Sequence, residues 1–90
     1  MTASVRTYTF VGDGAEKELN LSVAPKYIEV YDETDDVIYK KVDMWDGNRI
    51  FNATAPAFVA DDGFAINNLV LEITAAFNLD GHTFTYVVFA

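Results

Sequence analysis

Any chemistry in this chain has to be done with few parts. His82 is the one histidine, so it alone could exchange a proton near neutral pH or offer an imidazole to a metal. It follows directly on Asp80-Gly81, where an exposed turn residue is the expectation. The serines are Ser4 and Ser22, one near the start of the chain and one in a stretch that reads as a strand. Neither sits in the strained Gly-x-Ser-x-Gly elbow that activates a nucleophile. With no cysteine, thiolate nucleophiles, thiolate metal sites and disulfides are excluded.

Carboxylates are plentiful enough to raise acid–base pairs or calcium. Asp32, Glu33, Asp35 and Asp36 crowd one segment, and Asp61-Asp62 form a second group. Calcium takes six to eight oxygens, and the helix-loop-helix site that supplies them has a fixed spacing ending in glutamate. No stretch here fits. Solvated turn carboxylates are the preferred reading, ahead of weak cation binding and of catalysis. No catalytic, cofactor-binding or metal-ligating residue is assigned, no cofactor is expected, and the chain reads as a non-enzyme. Asn20-Leu21-Ser22 and Asn52-Ala53-Thr54 match the glycosylation tripeptide, which is short enough to arise by chance. Trp45 either lids the core or anchors a partner, as exposed tryptophans often do.

Ninety residues make one domain, 1–90. A chain this short buries only about 60–65% of the surface its unfolded form exposes, so packing or association has to supplement its stability. Its 51% apolar content argues against disorder. It also exceeds what one small core holds, which points some apolar residues toward a partner. Fourteen acidic against six basic residues leave a formal charge of −8, a field that repels phosphate backbones. Nucleic-acid binding is not expected. Residues 1–6 lack the charged-then-apolar layout of a signal peptide. No apolar run approaches the roughly 18–20 residues of a membrane helix. A soluble protein made in the cytosol of its producing cell, without a membrane partner, is the expectation.

Four of the five glycines follow aspartate: Asp13-Gly14, Asp46-Gly47, Asp62-Gly63 and Asp80-Gly81. Asp-Gly supplies the positive φ of tight hairpin turns, and the stretches between these pairs read as strands. Residues 6–11, Arg6 followed by an alternating β-branched and aromatic set, suit a strand. Residues 17–23 set Leu19, Leu21 and Val23 against Glu18, Asn20 and Ser22, one dry face and one wet. Asp13-Gly14 is expected to close these two into a first hairpin. Residues 27–31 place Ile28 and Val30 on one face, the acidic segment 32–36 turns the chain, and 37–42 follow. Trp45-Asp46-Gly47-Asn48 is a turn before Arg49-Ile50-Phe51. Residues 52–62 contain Pro56 and no clean period, which suits a loop or an irregular edge strand. From Leu69 to Leu79 every second residue is apolar or alanine. A helix competes there, because Leu69, Ile73 and Phe77 are four apart, but period two matches more positions and the stretch predicts a strand. The last strand, 83–89, sets Phe84, Tyr86 and Val88 against Thr85, Val87 and Phe89, with both faces covered by the domain or a neighbour. The whole predicts an all-β fold, a small antiparallel β-sandwich or barrel of about seven to eight strands.

Two blocks resemble a class of small tailed-bacteriophage virion proteins and tail-protein modules. The first runs through Tyr8-Thr9-Phe10-Val11-Gly12-Asp13-Gly14, Lys17-Glu18-Leu19-Asn20-Leu21 and Pro25-Lys26-Tyr27-Ile28-Glu29-Val30. The second is Gly63-Phe64-Ala65-Ile66 with the unbroken run from Phe77 to Phe89. In that class a "GDG" hairpin and a "P-x-hydrophobic-x-V" strand open the domain, and an "N-x-x-G-x-x-Y-x-Y-V-A-F"-like strand closes it. Here Phe84 stands where tyrosine is usual and Val88 where alanine is. The resemblance implies a β-sandwich serving as a structural part of a particle, with no catalytic residues to carry over. A capsid decoration (cement) protein is the first expectation: a trimer or dimer on the outer capsid, over joints between major capsid subunits. A tail, neck or fibre component is the alternative in the same class, and a host-receptor or carbohydrate-binding module the alternative outside it. Expected partner contacts are Thr2, Arg6, Trp45, Pro56, Phe58 and Phe89.

Overall fold

The computed structural model describes residues 5–45, 47–59 and 62–90. They form nine strands: β1 (Val5–Val11), β2 (Lys17–Asn20), β3 (Tyr27–Asp32), β4 (Val37–Val42), β5 (Ile50–Asn52), β6 (Ala57–Val59), β7 (Phe64–Asn67), β8 (Val70–Ile73) and β9 (Thr83–Phe89). A six-stranded sheet has the order β1-β9-β3-β4-β5-β6, a three-stranded sheet the order β2-β8-β7, and every pairing is antiparallel. The fold is the all-β architecture expected, with one strand beyond the upper count. No helix of the described residues is long and apolar enough to cross a membrane.

Alternation builds the core. Ile28, Val30, Ile50, Phe84, Tyr86 and Val88 of the large sheet are buried against Phe64, Leu71 and Ile73 of the small one, and Leu21 and Phe77 join them from connecting segments. Aromatic rings bridge the layers: Phe64 lies 5.8 Å from Tyr86 and 5.4 Å from Phe77, edge to face in both pairs. Such pairs add about 0.5–1.5 kcal/mol each beyond the area they bury.

Four local expectations are corrected. Asp13-Gly14 does not close a hairpin: β1 pairs with β9, and β2 crosses to the other sheet to pair with β8. Gly14 keeps its positive φ of 75°, but its turn is held by distant chain. Gly12 N donates to His82 O (2.8 Å), Gly14 N to Asn78 O (2.8 Å) and Gly81 N to Gly12 O (2.9 Å). The Asn78 amide nitrogen adds bonds to Asp13 Oδ1 and Ala15 O. The turns at 13–14 and 80–81 thus form one clasp between the start and the end of the chain.

The strand expected over residues 69–79 stops at Ile73. Thr74 O accepts from Phe77 N and Asn78 N, and its hydroxyl bonds Gly63 O and Phe77 N. That single tight turn swings Phe77 under the sandwich, leaving it 6% exposed. The four-residue spacing of Ile73 and Phe77 therefore matters for one turn only, and neither a strand nor a helix spans the stretch. The strand expected over 17–23 ends at Asn20, because Ser22 takes a φ of 61° and donates its N–H to Asn20 Oδ1. Its wet and dry faces are as expected: Leu21 is buried and Val23 packs against the core.

Elsewhere the acidic segment turns β3 into β4, and residues 52–62 contribute β6, a three-residue edge strand after Pro56. The hairpin of β7 and β8 had no strand assignment for its first arm; its two-residue loop has Asn68 at φ 59°, the conformation asparagine tolerates best among side-chain-bearing residues. Gly63 does not turn a hairpin at positive φ. A Cβ there would lie 2.4 Å from Asn48 O and 2.8 Å from Ile50, so its role is close approach.

The clasp makes a clear prediction. A Cβ at Gly12 would sit 2.2 Å from Leu79 O, a backbone atom that cannot move alone. Gly12→Ala is expected to cost about 3 kcal/mol, the upper end of overpacking penalties. Urea denaturation measures it, and a loss below about 0.5 kcal/mol, the size of ordinary surface effects, would contradict the clasp.

Candidate functional site

The acidic turn and the lone histidine come together. Asp32, the last residue of β3, is 2% exposed, so it is not the solvated carboxylate expected. Its Oδ1 accepts from Thr34 N (3.1 Å) and Asp35 N (3.2 Å), which tightens the turn. Its Oδ2 lies 2.9 Å from His82 Nδ1. A carboxylate only accepts, so Nδ1 carries the proton. Asp35 Oδ2 stands 3.7 Å from the same nitrogen. His82 is 22% exposed by its side chain, less than a free turn residue. Around it, Glu33 N donates to Thr83 O, Thr83 N to Thr34 Oγ1, and Thr85 Oγ1 to Glu33 Oε2 at 2.6 Å. The turn is thereby laced to the start of β9.

Asp32, Asp35 and His82 could each offer one ligand atom to a divalent cation, all within 4.8 Å of one another. Three donors fall short of a calcium shell and match the ligand types of a zinc site. The hydrogen bonds already account for the geometry, since both Asp32 oxygens are engaged within the chain. The arrangement is a latch between the β3–β4 turn and β9. The hydrogen bond to the Asp32 carboxylate raises the imidazole pKa above its ordinary 6.5, against the opposing effect of desolvation and with further help from the charges of Asp32 and Asp35.

A second buried charge organises the other end of the sheet. Lys41 of β4 is fully buried, and its Nζ donates to the carbonyls of Trp45 (3.2 Å), Gly47 (3.0 Å) and Arg49 (2.7 Å). The loop after β4 is wrapped around this ammonium. It carries Trp45, whose ring meets Phe58 of β6 edge-on at 5.1 Å. Phe58 also meets Phe51 and lies under the Arg49 guanidinium at 4.1 Å. Trp45 lies outside the main core cluster; it belongs to an aromatic corner in which Phe58 is 49% exposed.

That corner continues into a wider surface. Strand alternation gives the six-stranded sheet an outer face that the small sheet does not cover. One cross-strand row on it runs Thr7, Val87, Glu29, Lys40, Phe51, Phe58, from one edge of the sheet to the other. Valines, threonines and aromatics dominate the rows beside it. Glu29 and Lys40 are the two charged residues at the outward strand positions of this six-stranded sheet, in a chain of charge −8. Glu29 takes a hydrogen bond from each neighbouring phenol, Tyr27 (2.9 Å) and Tyr31 (2.8 Å). Desolvation, then the bond to Glu29, pushes the Tyr27 pKa up to about 12, and the bond to Glu29 raises that of Tyr31. Both phenols stay protonated donors at neutral pH.

Of the expected contact residues, Trp45 and Phe58 touch at the corner. Pro56 is exposed in the turn just before β6. Phe89 packs on Tyr27 at the opposite end of the outer face, and Arg6 is exposed on edge strand β1. Thr2 lies outside the described residues. Sequence reading passed over Glu29, Lys40 and Lys41; a Lys-Lys pair in an alternating strand, one residue of which must face inward, was the available signal. Comparison of the chain with protein-family models, curated proteins and solved structures finds no significant match.

Two outcomes follow from the two buried charges. The raised His82 pKa means that the folded state holds the proton more tightly than the unfolded one. Its stabilisation is complete below 6.5 and is lost as pH rises through the raised folded value, so unfolding free energy falls as pH climbs above 6.5. His82→Asn, which can still donate to Asp32, is expected to flatten that dependence; parallel urea curves for the two proteins would refute the latch. Lys41→Met keeps the apolar stem but leaves the three carbonyls without this donor, at an expected cost of about 2–4 kcal/mol. The fluorescence of Trp45, the one tryptophan, should shift to longer wavelength as the loop loosens.

Proposed function

We propose that the protein is a non-enzymatic structural component of a tailed-phage particle, a capsid decoration (cement) protein that binds the outer capsid surface and stabilises joints between major capsid subunits. It would be made in the host cytoplasm and end in the virion. The observation that carries this reading is the open outer face of the six-stranded sheet with its aromatic corner, a broad, nearly uncharged surface that marks a component of an assembly, to be buried against another copy of the chain or another virion protein. A small substrate calls instead for a deep pocket with converging polar groups. The resemblance of the two sequence blocks to virion proteins supports it further, because Gly12 to Gly14 of the first and Asn78 to His82 of the second meet in the clasp. The acidic remainder of the surface suits an exterior position, away from packaged DNA.

A tail, neck or fibre component remains the alternative within the class. The exposed rings of the Trp45–Phe58 corner favour the receptor- or carbohydrate-binding alternative, through stacking on a sugar. Titration onto capsids stripped of minor proteins separates the readings. Saturable binding at a fixed number of copies per lattice unit is the expected result. Binding to cells or glycans alone, or to tails alone, would replace the cement reading with the corresponding alternative.

A further inference from the structure

Taking the chain as such an assembly component, we propose that the outer face of the six-stranded sheet is covered by a second copy of the same chain, the two sheets packed back to back about a two-fold axis that runs parallel to the strands between β3 and β4.

The charge pattern selects both the occupant and the axis. The sheet order places the β3–β4 gap at its centre, with three strands on either side. Glu29 and Lys40 face each other across that gap in register. Among the described residues no ion pair joins them: Glu29 is held by Tyr27 and Tyr31, and no described partner engages Lys40. A two-fold axis along the strands at this gap carries β3 of one copy over β4 of the other. Glu29 of each copy then lies over Lys40 of its mate, and a surface with one charge of each sign becomes self-complementary. An in-plane axis across the strands would instead stack Glu29 on Glu29 and Lys40 on Lys40.

The rest of the central row fits the same operation. Val87 comes over Phe51, and Thr7 over Phe58, so small or β-branched side chains meet flat rings. The area is sufficient. Six strands at about 4.8 Å spacing and a mean length near 17 Å give roughly 500 Å² of flat face per copy, or about 1,000 Å² for the pair, the lower bound for a specific interface. The opposing term is the acidic turn at residues 32–36, which this axis brings to the same end in both copies. Glu33, Asp35 and Asp36 are exposed there, and sheets about 10 Å apart exceed the ~8 Å screening length of physiological salt, so the repulsion is damped.

Sedimentation equilibrium of the full chain tests this. The expected result is a reversible dimer whose dissociation constant rises at least about tenfold in Lys40→Glu, which sets like charges against each other. The double swap Glu29→Lys with Lys40→Glu is expected to restore the dimer, because the axis again pairs opposite signs. Thermal melts check that each variant folds. A monomer at every accessible concentration, a dimer indifferent to Lys40→Glu, or a swap that fails to rescue would each overturn the proposal. Binding to stripped capsids, measured on the same proteins, separates the two failures. Loss of the dimer with capsid binding intact removes this interface alone, and a dimer that ignores capsids removes the cement reading alone.

Discussion

The structure depends on the strand β9 and on the strict alternation of its side chains. Phe84, Tyr86 and Val88 are buried while the residues between them are not. The backbone of β9 pairs with β1 along one edge and β3 along the other. A one-residue slip would drive all three large side chains out of the core, so the register is strongly determined. With β9 in place, β3 presents Ile28 and Val30 to the same interior, and the acidic turn is brought beside His82.

The two Asp-Gly turns that bound this arrangement act at long range. In a local hairpin, Asp-Gly closes two strands that pair with each other. Here the turn after β1 sends the chain into the opposite sheet, and its N–H groups find their acceptors on Asn78 and His82, near the other end of the sequence. Gly12 fits because backbone passes where a side chain would lie. The clasp joins chain regions that the sheets alone would leave tied only through β1 and β9, and the latch at Asp32 repeats the device one turn further on. Buried charge at Asp32 and Lys41 is tolerated for the same reason: each is met by several hydrogen bonds, which low dielectric strengthens.

The two faces of the large sheet solve different problems. The inner face meets a second sheet and is sealed. The outer face has similar β-branched and aromatic residues, and none of the described residues forms a second layer over it, a surplus that composition already indicated. Two phenols on Glu29 reduce the polarity of its centre without removing the charge, and the corner at Phe58 adds rings at the edge. In a small domain, where stability is limited by how much surface can be buried, such a face is where association can contribute.

Class, core and most strand positions were legible in the residues. Period-two patterns at 27–31 and 83–89 have one physical solution, because only a strand puts every second side chain on one face. Gly14, Gly47 and Gly81 of the Asp-Gly pairs marked turns at positive φ, a conformation intrinsic to glycine, whereas Gly63 serves close approach instead. Which strands pair was not legible: the turn at 13–14 has the same local chemistry whether it closes a hairpin or crosses between sheets. Nor was the end of β8, where alternation continued on paper past Ile73 but the small sheet had no neighbour left to pair with. The latch at His82, the burial of Lys41 and the opposition of Glu29 to Lys40 join residues from separate strands and turns. Local sequence sets backbone preference and the alternation of faces; only tertiary packing, through the long-range pairing of strands, decides which faces meet and which remains open.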